Sequence, residues 1–178
     1  MQSRQTAAAA SSREALRVLI AGGGVAGLEA AFGLQELAGE RVSVRILAPD
    51  DKFVYRPMAI GEPFTSGHAR RYPLAGLAAA AGAALVSGAL AAVDPARREV
   101  TTTGGETLAY DALLVCPGAT MRHPYEHTTR FDDAHLDELL HGLVQDVEEG
   151  YVRRLAIVVP APMPWPLPAY ELALMASE

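Results

Sequence analysis

The spacing of hydrophobic residues changes period at the first glycines of the chain. Residues 17–21 (RVLIA) are a short apolar run ending in three glycines, the pattern of a buried parallel strand entering a tight turn. From 25 to 37 the spacing is helical, with Val25, Leu28 and Phe32 on one side, Glu29 and Glu36 elsewhere, and Gly39 as the stop. Residues 42–47 alternate as a second strand. The connection has room only for the helix, so a right-handed βαβ unit is predicted.

Downstream the pattern is less regular. Pro49, Pro57, Pro63 and Pro73 interrupt 49–73 among the aromatics Phe53, Tyr55, Phe64 and Tyr72, which predicts an ordered loop without a helix or central strand. A short helix is expected at 74–81, a buried strand at 84–87, and a small antiparallel meander over 88–110 with a hairpin at Gly104-Gly105. Residues 112–116 form another apolar strand, ended by Pro117-Gly118, and 119–133 read as polar loop. An amphipathic helix at 134–148 turns Leu136, Leu139, Leu140, Leu143 and Val147 inward. A new strand is expected at 154–159 and a closing helix at 169–175.

Composition narrows the class. With 50% hydrophobic and 20% charged residues, the 178-residue chain has the make-up of a packed domain plus a remainder. A net charge of −6, with no Lys/Arg run longer than a dipeptide, argues against a nucleic-acid partner. The single cysteine, Cys116, excludes an intrachain disulfide and fits a reducing compartment, so a cytoplasmic location is expected. The apolar stretch 74–93 is divided by Gly82, Ser87 and Gly88 and predicts no membrane span. Residues 1–16 read as a flexible leader.

The strongest chemical signal is Gly22-Gly23-Gly24-Val25-Ala26-Gly27, which fits the dinucleotide fingerprint and sits between a strand and a helix as the mechanism requires. Gly22 permits the turn, Gly24 admits the pyrophosphate, and Gly27 with Ala31 lets the helix approach the sheet. The anion would rest on free N–H groups at the positive end of the helix dipole. The ribose-binding acid expected about 20 residues further on is absent, because position 48 is alanine. Asp50 and Asp51 follow in the loop as substitutes, and no arginine stands there for a 2′-phosphate.

Four segments in order, namely the glycine loop, Phe53-Val54-Tyr55-Arg56-Pro57, the strand and turn from Tyr110 to Ala119, and Trp165-Pro166-Leu167-Pro168-Ala169-Tyr170-Glu171-Leu172, resemble FAD-dependent pyridine nucleotide-disulfide oxidoreductases. Within that group the chain is most similar to sulfide:quinone oxidoreductases and type II NADH dehydrogenases. The resemblance implies an α/β architecture: a Rossmann-like FAD-binding fold over 17–150, with a parallel sheet and a small antiparallel meander, followed at 151–178 by the truncated beginning of a second such fold. It also implies roles. Gly22, Gly24, Val25, Ala26 and Gly27 would line the FAD pyrophosphate, while Ala48 and Pro49 would border the adenosine ribose. Arg56 and Pro57 would lie towards the isoalloxazine, Ala89 and Leu90 would offer backbone groups to the adenine, and Cys116, Pro117 and Gly118 would replace the family's Ala-Thr-Gly turn.

The departures are equally specific. Trp165 stands where sulfide:quinone oxidoreductases carry a redox cysteine. Where type II NADH dehydrogenases have a second glycine fingerprint, five prolines and no glycine occupy 160–168, which removes the N–H donors a pyrophosphate needs and argues against NAD(H) there. The resembled enzymes run well beyond this length, so the chain is either a fragment or a shortened relative, and a homo-oligomer or a partner covering the second fold is expected. If a further half anchors it, the protein would sit at the membrane periphery.

Other residues carry blander readings. Cys116 reads as a small buried residue, His123, His127, His135 and His141 as surface histidines rather than a metal site, and His68, Arg70 and Arg71 as a solvated loop. Trp165 either stacks near a quinone or flavin or caps the core, and Glu171 is either a proton acceptor at a quinone site or a helix-dipole partner. The expected function is an FAD-dependent oxidoreductase, or part of one, passing electrons from an unidentified donor to a quinone or other acceptor. The alternatives are a non-catalytic nucleotide-binding or interaction module and a single-domain NAD(P)-binding dehydrogenase.

Overall fold

A computed structural model describes residues 14–119, 125–130, 136–161 and 166–177. The leader up to residue 13, the first residues of the helix expected at 134, and His123, His135 and Trp165 lie outside them. The chain divides into two compact units, Met1–Phe53 with Pro73–Gly118 and Val54–Tyr72 with Ala119–Glu178.

The first unit is built on β1 (Leu16–Ala21), α1 (Val25–Ala38) and β2 (Val42–Ala48), the predicted βαβ unit, with β1 and β2 parallel from Leu16 opposite Val42 to Ala21 opposite Leu47. After the strand β3 (Lys52–Tyr55), a 3-10 helix at Arg56–Phe64 and the strand β4 (Arg70–Pro73), the chain returns through α2 (Leu74–Ala80) to β5 (Ala83–Ser87), parallel to β2. The antiparallel strands β6 (Leu90–Asp94), β7 (Glu99–Thr102) and β8 (Thr107–Ala109) precede β9 (Ala112–Val115), which joins the other edge of β1. The parallel sheet thus runs β5-β2-β1-β9. Its order reverses at β1, the doubly wound arrangement whose crevice lies beyond the carboxyl ends of the two strands flanking the reversal.

Strand alternation sorts the core into two layers. Val18, Ile20, Val44, Ile46 and Ala48 face Leu28 and Ala31 of α1 and Leu74 and Ala78 of α2. Leu19 and Leu47 face the meander through Val100 and Leu108, with Tyr110 beside them. The hairpin turns where expected, with Gly105 at φ 83° and its N–H bonded to the Thr102 carbonyl at 2.9 Å.

Three expectations are corrected. On α1 the buried face is Gly27, Leu28 and Ala31, while Val25 and Phe32 are exposed, because small residues bring the helix axis close to the sheet and swing its larger ones outward. Segment 49–73 is not a plain loop: β3 and β4 pair as a separate two-stranded ribbon, and Pro57 is accommodated at the start of the 3-10 helix, where a missing N–H costs nothing. The strand expected at 154–159 does not form. Residues 152–160 have no strand partner among the described residues, and a strand exists only through pairing, so Leu155, Ile157, Val158 and Val159 are left exposed.

In the second unit α3 (Leu136–Glu148) packs on the 3-10 helix, where Ala59 and Ala69 are buried with Val54 and Leu140 against them. The last helix, α4 (Leu167–Met175), begins two residues earlier than the sequence suggests, with Pro168 in its first turn. No helix among the described residues is long and apolar enough to cross a membrane.

At the amino end of the sheet, β1 and β9 are fastened by one residue pair. The Asp111 carboxylate accepts from the Arg17 backbone N–H at 2.9 Å, from Nε at 3.0 Å and from Nη2 at 2.8 Å, and the Asp111 N–H returns a bond to the Arg17 carbonyl at 2.8 Å. Hydrogen bonds from the Arg17 side chain and backbone hold the Asp111 carboxyl well below its ordinary value of 3.8. Since this acid is stronger folded than unfolded, its contribution is present above the ordinary carboxylate pKa and is lost as pH falls towards the folded value. We therefore expect Asp111→Asn to lower the thermal midpoint at pH 7, with the gap to wild type closing in melts below about pH 4 and narrowing in high salt, because Arg17 is half exposed.

Candidate functional site

Three backbone bonds run along the carboxyl ends of the strands, where the crevice at the order reversal opens. Gly22 N–H donates to Leu47 O at 2.8 Å, Cys116 N–H to Ala21 O at 2.7 Å, and Gly88 N–H to Ala48 O at 2.9 Å. These fix the height of the glycine loop relative to the turns that follow β2, β5 and β9.

Each glycine of the loop has its own physical reason. Gly22 adopts φ 130°, and a Cβ there would stand 1.9 Å from the Cys116 carbonyl oxygen. Gly27 lies in the first turn of α1, where a Cβ would fall 2.0 Å from the Gly22 oxygen and 3.3 Å from the Ile20 side chain. At Gly24 nothing lies within 4 Å, and the residue is exposed. Gly23, which the fingerprint leaves open, faces Leu74 Cδ2 at 2.5 Å and Ala48 Cβ at 3.0 Å from its notional Cβ. The sequence gives Gly23 no role, and the hint it offers is a fourth glycine in a loop whose fingerprint requires three.

The electrostatics of the loop favour an anion. Gly24 is the N-cap of α1, and the first intrahelical bond is Leu28 N–H to Gly24 O at 3.0 Å. The N–H groups of Gly24, Val25, Ala26 and Gly27 therefore have no partner within the helix. No side chain caps them and no acidic residue lies in the first turn, so the positive end of the helix dipole has no compensating charge from its own helix.

The other expected site residues are placed as follows. Ala48 is buried at the tip of β2 and touches the underside of the loop region, while Pro49, Asp50 and Asp51 are exposed beyond it. Cys116 is half-buried rather than buried, because it packs its side chain on the core while its carbonyl lies against Gly22. Pro117 and Gly118 are exposed, with Gly118 at φ 76°. The Ala89 carbonyl accepts from Thr103 N–H at 2.8 Å, and Leu90 opens β6 with its side chain against the meander core. All of these belong to the first unit. Arg56 and Pro57 belong to the second, where they open the 3-10 helix on an exposed turn.

In the second unit Arg70 and Arg71 lie in β4 rather than in a loop, and Arg71 approaches Glu62 at 3.7 Å. His141 Nδ1 lies 3.3 Å from the Pro63 carbonyl and its Nε2 lies 3.3 Å from Gln145, so this histidine joins α3 to the 3-10 helix. A cavity of about 660 Å³ lies among Phe64, Leu140, Leu143, Ile157 and Leu172, with His127 and Thr128 also in its wall.

Comparison with known proteins bears on the family and the fold. Residues 16–157 match the pyridine nucleotide-disulphide oxidoreductase family. An NADH dehydrogenase-like protein of Mycobacterium tuberculosis is 32% identical over 112 residues, 61% of this chain and 28% of that protein, so the chain spans under a third of the curated relative it matches. Among solved structures, the sulfide:quinone oxidoreductase of Aquifex aeolicus shares the fold with a TM-score of 0.68 at 21% identity, over 76% of this chain and 33% of that one. NDH2 of Plasmodium falciparum, solved in complex with NADH, shares it with a TM-score of 0.58 at 12% identity, over 81% and 31%.

The glycine contacts separate structural from open positions. Gly22→Ala and Gly27→Ala, which drive a methyl into backbone, are expected to cost about 2–4 kcal/mol in urea denaturation, whereas Gly24→Ala should change stability by less than about 1 kcal/mol.

Proposed function

The chain belongs to the pyridine nucleotide-disulphide oxidoreductase family, and from that premise we propose that its first unit is the FAD-binding part of an oxidoreductase that passes electrons to a quinone or another acceptor. The observation that carries this reading is the uncapped start of α1 beside an open Gly24. A methyl at 24 would fill the space through which a pyrophosphate reaches the N–H groups, and the donor set suits a dianionic bridge. The residues present therefore fit the dinucleotide.

In this reading Gly22, Gly24, Val25, Ala26 and Gly27 hold the pyrophosphate through main-chain donors and the helix dipole. Ala48 and Pro49 border the ribose, backbone groups of Ala89 and Leu90 meet the adenine, and the turn of Cys116, Pro117 and Gly118 closes the opposite wall. The flavin supplies the redox chemistry when bound, and the protein contributes binding, orientation and electrostatics. Cys116 is the single cysteine of this chain, and Trp165 stands where the resembled sulfide:quinone oxidoreductases carry a redox cysteine. The proline-filled segment 160–168 offers few N–H donors, which disfavours NAD(H) at a second fold.

The exposed run of Leu155, Ile157, Val158 and Val159 favours one further reading, in which the second unit serves as an assembly surface and turnover requires a partner. Both readings keep the nucleotide site.

The purified chain is expected to be yellow or to take up added FAD, with ADP, which carries the same adenosine and pyrophosphate, competing for the site. Gly24→Ala should weaken FAD by about tenfold or more, equivalent to about 1.4 kcal/mol, while lowering the melting temperature by no more than about 4 °C. A colourless chain that binds no added FAD in a fluorescence titration would defeat the proposal.

A further inference from the structure

We propose that Leu74 is the positioning residue of the nucleotide loop: its side chain props Gly23 from beneath while its main chain ties down the connection after β2. The proposal rests on reading the glycine loop as a dinucleotide site.

Two contacts converge on this residue. A Cβ at Gly23 would fall 2.5 Å from Leu74 Cδ2 and 3.4 Å from Cδ1, so the leucine methyls occupy the volume directly under the loop. Leu74 N–H also donates to the Asp51 carbonyl at 2.8 Å, which anchors the loop that carries Asp50 and Asp51 past the tip of β2. A single residue at the start of α2 thus bears on the pyrophosphate end and on the ribose end of the crevice.

The prop is stiff. Leu74 is 1% exposed and packs in the same cluster as Ile20, Leu28, Ile46, Ala48 and Ala78. In a close-packed core a leucine has few rotamers into which its methyls can retreat. Ala48 Cβ stands 3.0 Å from the same notional Cβ, so a second buried side chain crowds that point. Gly23 is not among the residues with positive φ, so an L side chain meets no backbone strain there and space alone demands glycine. Nothing lies within 4 Å of a Cβ at Gly24, so Leu74 does not line the open face of the loop and acts through Gly23.

The test is a double-mutant cycle on the full chain, read by FAD fluorescence titration, with a thermal melt of each variant without nucleotide. Gly23→Ala is expected to weaken FAD by about tenfold or more, and Leu74→Ala by a smaller factor, about three- to tenfold. The Gly23→Ala/Leu74→Ala pair should bind more tightly than Gly23→Ala alone, because the new methyl enters the space the leucine vacates and the two losses are not additive. Leu74→Val, which withdraws the methyls with less damage to the core, should rescue Gly23→Ala in the same way if Leu74→Ala proves too unstable to assay. Leu74→Met, similar in volume, should bind as wild type. A purely structural role would lower the melting temperature of each variant without any rescue of affinity. Wild-type affinity in Gly23→Ala, or strictly additive losses in the pair, overturns the assignment of Leu74 while leaving FAD binding intact. Failure of the wild-type chain to bind FAD overturns both it and the reading beneath it.

Discussion

At the carboxyl edge of the sheet, two stretches of backbone come closer than any side chain would permit. The chain leaving β1 passes Gly22 against the carbonyl of Cys116, and one turn later Gly27 settles on the oxygen of Gly22. The Cys116 N–H bonded to Ala21 holds the first approach in place. Because of this stack, α1 starts close to the turn after β9, and its first N–H groups have no partner within the helix. Were the gap wider, the helix would start further from β9 and its positive end would be aimed elsewhere.

The two ends of the same strands do different work. At the amino end, Arg17 and Asp111 satisfy one another through four hydrogen bonds that join β1 to β9. At the carboxyl end, polar main-chain groups at the start of α1 are left without protein partners from the helix or its side chains. The mutually satisfied side-chain pair thus sits at the amino end, and the main-chain donors without a partner in their own helix sit at the carboxyl end, where the proposed nucleotide site lies. In open α/β sheets this separation allows the site to be polar without weakening the sheet that carries it.

What the sequence made legible was whatever neighbours along the chain decide. The β1-α1-β2 unit, the Gly39 stop, the hairpin at Gly104-Gly105 and the strand before Pro117 all follow from local periodicity and turn chemistry. Where the outcome depends on distant packing, it was less visible. The exposure of Val25 and Phe32 follows from how near Gly27 and Ala31 let the helix approach the sheet. Residues 154–159 have the composition of a strand, yet pairing cannot be inferred from composition, and the described residues supply no partner. The candidate site was legible at Gly22, Gly24 and Gly27 because a fingerprint fixes their spacing. It was illegible at Gly23 and Leu74, which lie 51 positions apart in the numbering and meet only once α2 is folded against the loop.

The four glycines of the loop also differ in what would hold them in place over evolutionary time. Substitution at Gly22 or Gly27 collides with backbone, so purifying selection would retain both for foldability even in a descendant that had abandoned its ligand. Gly24 alone faces open space. Among orthologues, drift confined to that one codon would mark lineages in which the fold outlived the cofactor.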